Sequence, residues 1–142
     1  MPAESVILAL PLPAASVVGN EEKSEAFKTA YIDLVNRYLD AEHKPIIYVM
    51  NGLSMKNYDI KQSATNSNWI YRDPNFVNYI IPKHIEVKNE LGLNFIDTYN
   101  GTLELMETTS DGLASDMLHP NDVGYRAIAE LVANSISLDI FY

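Results

Sequence analysis

The chain contains no cysteine, which excludes a disulfide framework, a thiol nucleophile and any thiolate metal site. Basic residues are scarce, with 10 Lys and Arg against 19 Asp and Glu and a formal charge of −9. That balance repels phosphate backbones and anionic lipid surfaces, so nucleic acid is not an expected partner. No run approaches the ~20 apolar residues of a membrane span. The apolar stretch from Val6 to Val18 has Glu4 before it and Pro11 and Pro13 inside it, where a signal peptide needs a basic flank and an unbroken apolar run. A soluble protein is expected, cytoplasmic or secreted. Gly and Pro number only 6 and 7, and 47% of the 142 residues are apolar, enough to form a core. The length predicts a single domain spanning 1–142.

Periodicity divides the chain into alternating strands and helices. Val6 to Leu10 is short, apolar on both parities and closed by proline, the pattern of a buried parallel strand. From Glu21 to Ala41, apolar residues recur at three and four (Phe27, Ala30, Tyr31, Leu34, Val35, Tyr38, Leu39), which predicts a core-facing helix capped by Asn20. Ile46 to Met50 is a second buried-type strand ended by Asn51-Gly52. Asn51 to Arg72 is aperiodic and rich in Asn and Ser, which predicts a long surface loop. Asp73-Pro74 opens a helix that Pro82 should kink and Gly92 should end. Leu93 to Ile96 is a third strand, and a last helix runs from about Asp122 to Ile136 with Ile128, Leu131, Val132 and Ile136 inward.

This alternation predicts a parallel α/β sheet flanked by helices. In such sheets the ligand site lies beyond the strands' carboxyl ends, where Asn51 and Asp97 fall. A first strand that follows almost directly on Met1, with nothing before it to cover its edge, reads as a fold truncated at its N-terminus.

Only Asp116-Met117-Leu118-His119-Pro120-Asn121-Asp122-Val123-Gly124-Tyr125 has the density of a catalytic motif. Asp and His three apart on a loop entering a helix can come within hydrogen-bond reach. The carboxylate then fixes the imidazole tautomer and stabilises the imidazolium formed when the ring accepts a proton. A loop Asp followed by a helix-capping His-Pro-Asn is the plainer account of the same residues.

This block, continuing through Ile128-Ala129, resembles the last motif of the SGNH (GDSL-type) hydrolases, a family of esterases and lipases. The resemblance extends upstream through Leu91 to Asp97 and through the order of helix then strand over Phe27 to Met50. It implies a three-layer, flavodoxin-like α/β sandwich and acyl-ester hydrolysis through a serine acyl-enzyme, without a cofactor. His119 would be the general base and Asp116 its orienter, and the substrate a small-molecule or carbohydrate ester.

The family's Gly-Asp-Ser block and its Gly-x-Asn-Asp block are both missing from this chain. Gly19-Asn20-Glu21 is a degenerate counterpart of the latter, making Asn20 a candidate oxyanion donor, although a helix cap explains Asn20 equally. The nucleophile is unassigned, because Ser5, Ser16 and Ser54 all read as ordinary loop hydroxyls. The alternative is a catalytically inactive relative that binds or oligomerises, with the open strand edge favouring a homo-oligomer.

His43 reads as a helix-end cation and His84 as a residue on a solvated face beside Lys83 and Glu86. The three histidines lack ligand spacing, so no metal is expected. Trp69 and Tyr71 could stack on a sugar, but aromatics in such a loop more often anchor it to the core.

Overall fold

A computed structural model of the protein describes residues 5–8, 20–42 and 44–141, with side chains for 20–42 and 44–136. The fold is mixed α/β, a small parallel sheet with helices packed on it. The order is β1 (Ser5–Leu8), α1 (Glu21–Leu39), β2 (Ile46–Met50), α2 (Lys56–Ser63), α3 (Asp73–Asn75), a π-helical turn (Phe76–Ile80), α4 (Ile81–Leu91), β3 (Asn94–Ile96), α5 (Thr98–Gly101), a second π-helical turn (Glu104–Thr108) and α6 (Asp122–Phe141). In the sheet the strand order is β1-β2-β3. β1 and β2 run parallel, with Ser5 opposite Ile46 and Leu8 opposite Val49.

The chain forms two compact units. The first takes residues 1–51 and 74–95, the second 52–73 and 96–142. The core of the first is built from Tyr31 and Val35 of α1, Ile47 and Val49 of β2, Val87 of α4 and Leu93. Ile47 and Val49 are two apart and share one face of β2. Tyr48 points the other way and is also buried, so β2 has the two-sided burial predicted for a parallel strand. Val35, Val49 and Val87 are fully buried, each contributing about 1.5–3 kcal/mol of transfer free energy. The buried stripe of α1 is narrower than its periodicity predicts, because Ala30 and Tyr38 are exposed. Ser24, Phe27, Tyr31 and Val35 carry it at three- and four-residue steps. Asn20 caps this helix, its side chain accepting from the Lys23 N–H at 2.9 Å.

The helix predicted from Asp73 to Gly92 forms with an interruption. Pro82 has no N–H to continue an α ladder, and its ring would crowd the carbonyl four residues back. The turn before it widens, so that the Ile81 N–H donates to Phe76 five residues back, and α4 restarts with Pro82 in its first turn. Gly92 ends α4 at φ +63°, the left-handed cap that glycine adopts without a Cβ clash.

The reading of His84 as solvated is corrected. His84 is fully buried against the rings of Phe27 and Tyr31, at centroid distances of 5.4 and 5.5 Å. Its charged neighbours misled the pattern, because Lys83 is itself buried and satisfied by Glu21 at 2.7 Å, Glu25 at 2.5 Å and Glu86 at 3.3 Å. Lys28 completes this α1 to α4 ion network through Glu86 and Glu90.

The long loop expected over 51–72 is also corrected, because α2 occupies Lys56–Ser63. This helix has almost no apolar stripe; polar side chains fix it instead, so periodicity could not reveal it. In the second unit Met55, Tyr99, Met106 and Leu113 are buried. α5 packs on α6, where a Cβ on Gly101 would meet Leu131 Cδ2 at 2.7 Å. Among the described residues no helix is long and apolar enough to cross a membrane.

Candidate active site

The Asp116-to-His119 motif lies in a small hairpin of the second unit that feeds directly into α6. Leu113 and Pro120 form an antiparallel bridge. It is flanked by Ala114 N–H to His119 O at 2.8 Å and Asn121 N–H to Gly112 O at 2.9 Å. At the tip, Met117 N–H donates to Ala114 O, and Met117 takes φ +63°. A second left-handed residue, Ser110 at φ +57°, stands where the hairpin begins. Such backbone costs a non-glycine residue about 1–2 kcal/mol and persists only where surrounding contacts impose it.

Asn121 supplies several of those contacts. Its Oδ1 accepts the Gly124 N–H at 3.0 Å, capping α6, while its Nδ2 donates to Asp111 O at 2.7 Å and Leu113 O at 3.0 Å. The motif glycine has a steric reason, since a Cβ on Gly124 would lie 2.1 Å from the Gly112 carbonyl oxygen. Asn121 thus caps α6, in keeping with the helix-capping account of His-Pro-Asn.

Asp116 collects three donors. Its Oδ1 accepts the N–H groups of Leu118 at 2.9 Å and His119 at 3.0 Å, and its Oδ2 lies 2.5 Å from His119 Nδ1. The imidazole contact first, then the two backbone N–H groups, hold the Asp116 carboxyl far below the usual carboxylate range. An ionised carboxylate only accepts, so Nδ1 carries a proton, and in the neutral ring Nε2 then presents its lone pair. The His119 side chain is 68% exposed, which opens Nε2 to a reactant. The arrangement can accept a proton at Nε2 and stabilise the resulting cation.

The other sequence-predicted residues fall elsewhere. Ser54 is buried and donates to Glu107 Oε1 at 2.5 Å, with Asp73 Oδ1 at 3.3 Å. The Tyr99 hydroxyl joins this cluster through Asp73 Oδ2 at 3.0 Å, and the Met55 N–H donates to Asp73 Oδ1 at 2.7 Å. Burial raises the Asp73 carboxyl above its ordinary value. Ser54 is therefore a structural hydroxyl between two carboxyl groups. Asn20, in the first unit, spends its side chain on the α1 cap. Asp97 caps α5 through the Asn100 N–H at 3.1 Å. Ser16 and His43 lie outside the described residues, as does the side chain of Ser5.

Trp69 anchors its segment. Its Nε1–H donates to Asp59 at 3.0 Å, its ring meets Tyr58 edge-on at 5.6 Å, and the Arg72 guanidinium stacks over it at 4.9 Å. Asp59, fully buried, also accepts the N–H groups of Arg72 and Asp73. Tyr71 is half-exposed.

Sequence reasoning missed the side chains of α2 that hold this unit together. Asn57 Nδ2 donates to Met106 O, Glu107 O and Ser110 Oγ, and Lys61 Nζ to Ser115 O. Only the turn residues of the Asn/Ser-rich segment carried a signal, and they pointed to loop. A cleft of about 430 Å³ opens nearby, lined by Asn100, Thr102, Glu104, Thr109, Asp111 and Ala127, and includes neither dyad residue. Among the described residues no group of His, Asp and Glu is arranged to hold a metal ion. No family model, curated protein or solved structure matches the chain.

Proposed function

We propose that the protein is an acyl-ester hydrolase of the SGNH (GDSL) type, with His119 as general base and Asp116 as its orienter. The observation that carries this reading is the 2.5 Å contact between Asp116 Oδ2 and His119 Nδ1, with the far ring nitrogen open to solvent. In the reaction, Nε2 takes the proton of an attacking hydroxyl as that oxygen adds to the ester carbonyl. Asp116 stabilises the imidazolium, which returns the proton to the departing alcohol and leaves an acyl-enzyme. Water deprotonated at the same Nε2 then cleaves that ester to the free acid and restores the hydroxyl. The hydroxyl is that of a serine not yet assigned. The mixed α/β fold, with a parallel β1–β2 pair and helices on the sheet, supports a flavodoxin-like sandwich as the frame. A small-molecule or carbohydrate ester is the substrate class, and no cofactor takes part.

The test is hydrolysis of a small activated acetate ester by the whole chain beside His119→Ala. Turnover that disappears in the variant supports the reading, and equal rates overturn it.

A second reading is a catalytically inactive relative that binds or self-associates through the β1 edge. The engagement of Ser54 with Glu107, inside the unit that carries the dyad, favours it. Equal ester rates together with a dimer in solution would select it.

A further inference from the structure

We infer that Lys61 is a positioning residue for the Asp116–His119 pair. This inference rests on the reading of that pair as a hydrolytic relay. Lys61 lies in the last turn of α2, and its ammonium donates to the Ser115 carbonyl at 2.6 Å. That carbonyl belongs to the peptide that leads into Asp116, so the contact fixes the plane from which the carboxylate projects. A charged donor on a backbone oxygen is among the stronger hydrogen bonds available to a surface side chain.

The reach of Lys61 is set by Asn57, four residues earlier and on the same helix face. Asn57 Nδ2 lies 2.6 Å from Met106 O, 3.1 Å from Glu107 O and 2.8 Å from Ser110 Oγ. One face of α2 therefore grips the segment from Glu107 to Ser115 at both ends. One grip falls on a left-handed residue and the other two residues short of a second one. Asn57 bonds Ser110, the left-handed residue where the hairpin begins, and Lys61 bonds the residue two before Met117, the left-handed residue at its tip. The chain of contacts then runs from Ser115 into Asp116, whose Oδ1 gathers the N–H groups of Leu118 and His119 and whose Oδ2 meets the imidazole. Lys61 touches neither Asp116 nor His119 and acts through the loop alone.

The experiment compares the whole chain with Lys61→Met, which keeps the stem and loses the donor, and with Lys61→Arg. Two signals are read by NMR: amide exchange at Leu118 and His119, and the carboxyl titration of Asp116. Both are followed in dilute buffer and at about 0.5 M salt, where exposed charges are screened. In Lys61→Met the two amides should exchange about fivefold faster, the factor expected for one net hydrogen bond. The Asp116 titration should also move up toward the ordinary carboxylate range at both salt levels, and Lys61→Arg should restore both signals.

Unchanged amides in Lys61→Met overturn the inference. So does an Asp116 shift that salt abolishes, which would mark a bare charge effect. Neither signal depends on turnover, so an inert wild-type chain with responsive amides would refute the hydrolase and leave the clamp standing. Ester hydrolysis with unresponsive amides would do the reverse.

Discussion

His84 and His119 are the same side chain in opposite settings. Each places Nδ1 against an oxygen, His84 on the Ile80 carbonyl at 3.1 Å and His119 on the Asp116 carboxylate at 2.5 Å. In its neutral form each therefore carries its proton on Nδ1 and leaves Nε2 bare. His84 Nε2 is walled in beside Phe27 and Tyr31, with no hydrogen-bond partner among the described residues. Burial lowers its pKa to about 4, because an imidazolium there would lose its hydration. His119 presents the same lone pair to solvent, with a carboxylate behind it to stabilise the cation. A free ring nitrogen thus becomes a base only where a reactant can reach it and a counter-charge awaits the proton. The first unit buries His84 in its core, and the second holds His119 exposed against a carboxylate.

Five substitutions would break or sharpen that contrast. The largest effect is expected from His119→Ala, which should lower ester turnover at least ~10³-fold, as removal of a triad member does. His84→Leu should leave turnover within about twofold of wild type, because a buried neutral ring takes no part in chemistry.

His84 should instead govern stability. Its folded pKa of about 4 lies below the ordinary histidine value of 6.5, so between those values the unfolded chain binds more protons. Its contribution is fully present above pH 6.5 and is lost as the pH falls toward 4. The shift corresponds to about 3 kcal/mol. Urea titrations at several pH values should show this slope in wild type, and the difference from His84→Leu isolates it.

Gly124→Ala should follow, at about 1–3 kcal/mol of destabilisation for overpacking. The new Cβ would meet the Gly112 carbonyl, a rigid backbone atom, and force the hairpin away from α6. Gly101→Ala should cost less, because its nearest neighbour is the movable end of Leu131. Thermal melts of both proteins give the order. The smallest effect is expected from Trp69→Phe, which keeps the ring stack and removes one donor from Asp59, at about 1 kcal/mol. Circular dichroism can follow it, since the change removes the single tryptophan.

Much of the fold was legible in the sequence, and the failures have a common cause. β2, the α1 cap at Asn20, the Gly92 terminus and the start of α6 at Asp122 are fixed by local pattern and cap chemistry, and the structure places each as predicted. The three-residue spacing of Asp116 and His119 likewise foretold their contact. α2 was not legible, because Asn57, Lys61 and Asp59 hold it by polar bonds to residues far along the chain. The burial of His84 was hidden for the same reason. Lys83 and Glu86 beside it are surface residues by type, and only the ion network with α1 lets Lys83 sit inside. Ser54 looks like a loop hydroxyl by sequence, and nothing local announces that Asp73 and Glu107 converge on it.

Asp116 should hold the neutral His119 ring in the tautomer with a bare Nε2. Imidazole nitrogen shifts, measured by NMR above the titration of the ring, test this most directly. A proton on His119 Nδ1 and a bare Nε2, with that preference lost in Asp116→Ala, is the predicted result. A proton on His119 Nε2 in the wild-type chain would contradict it.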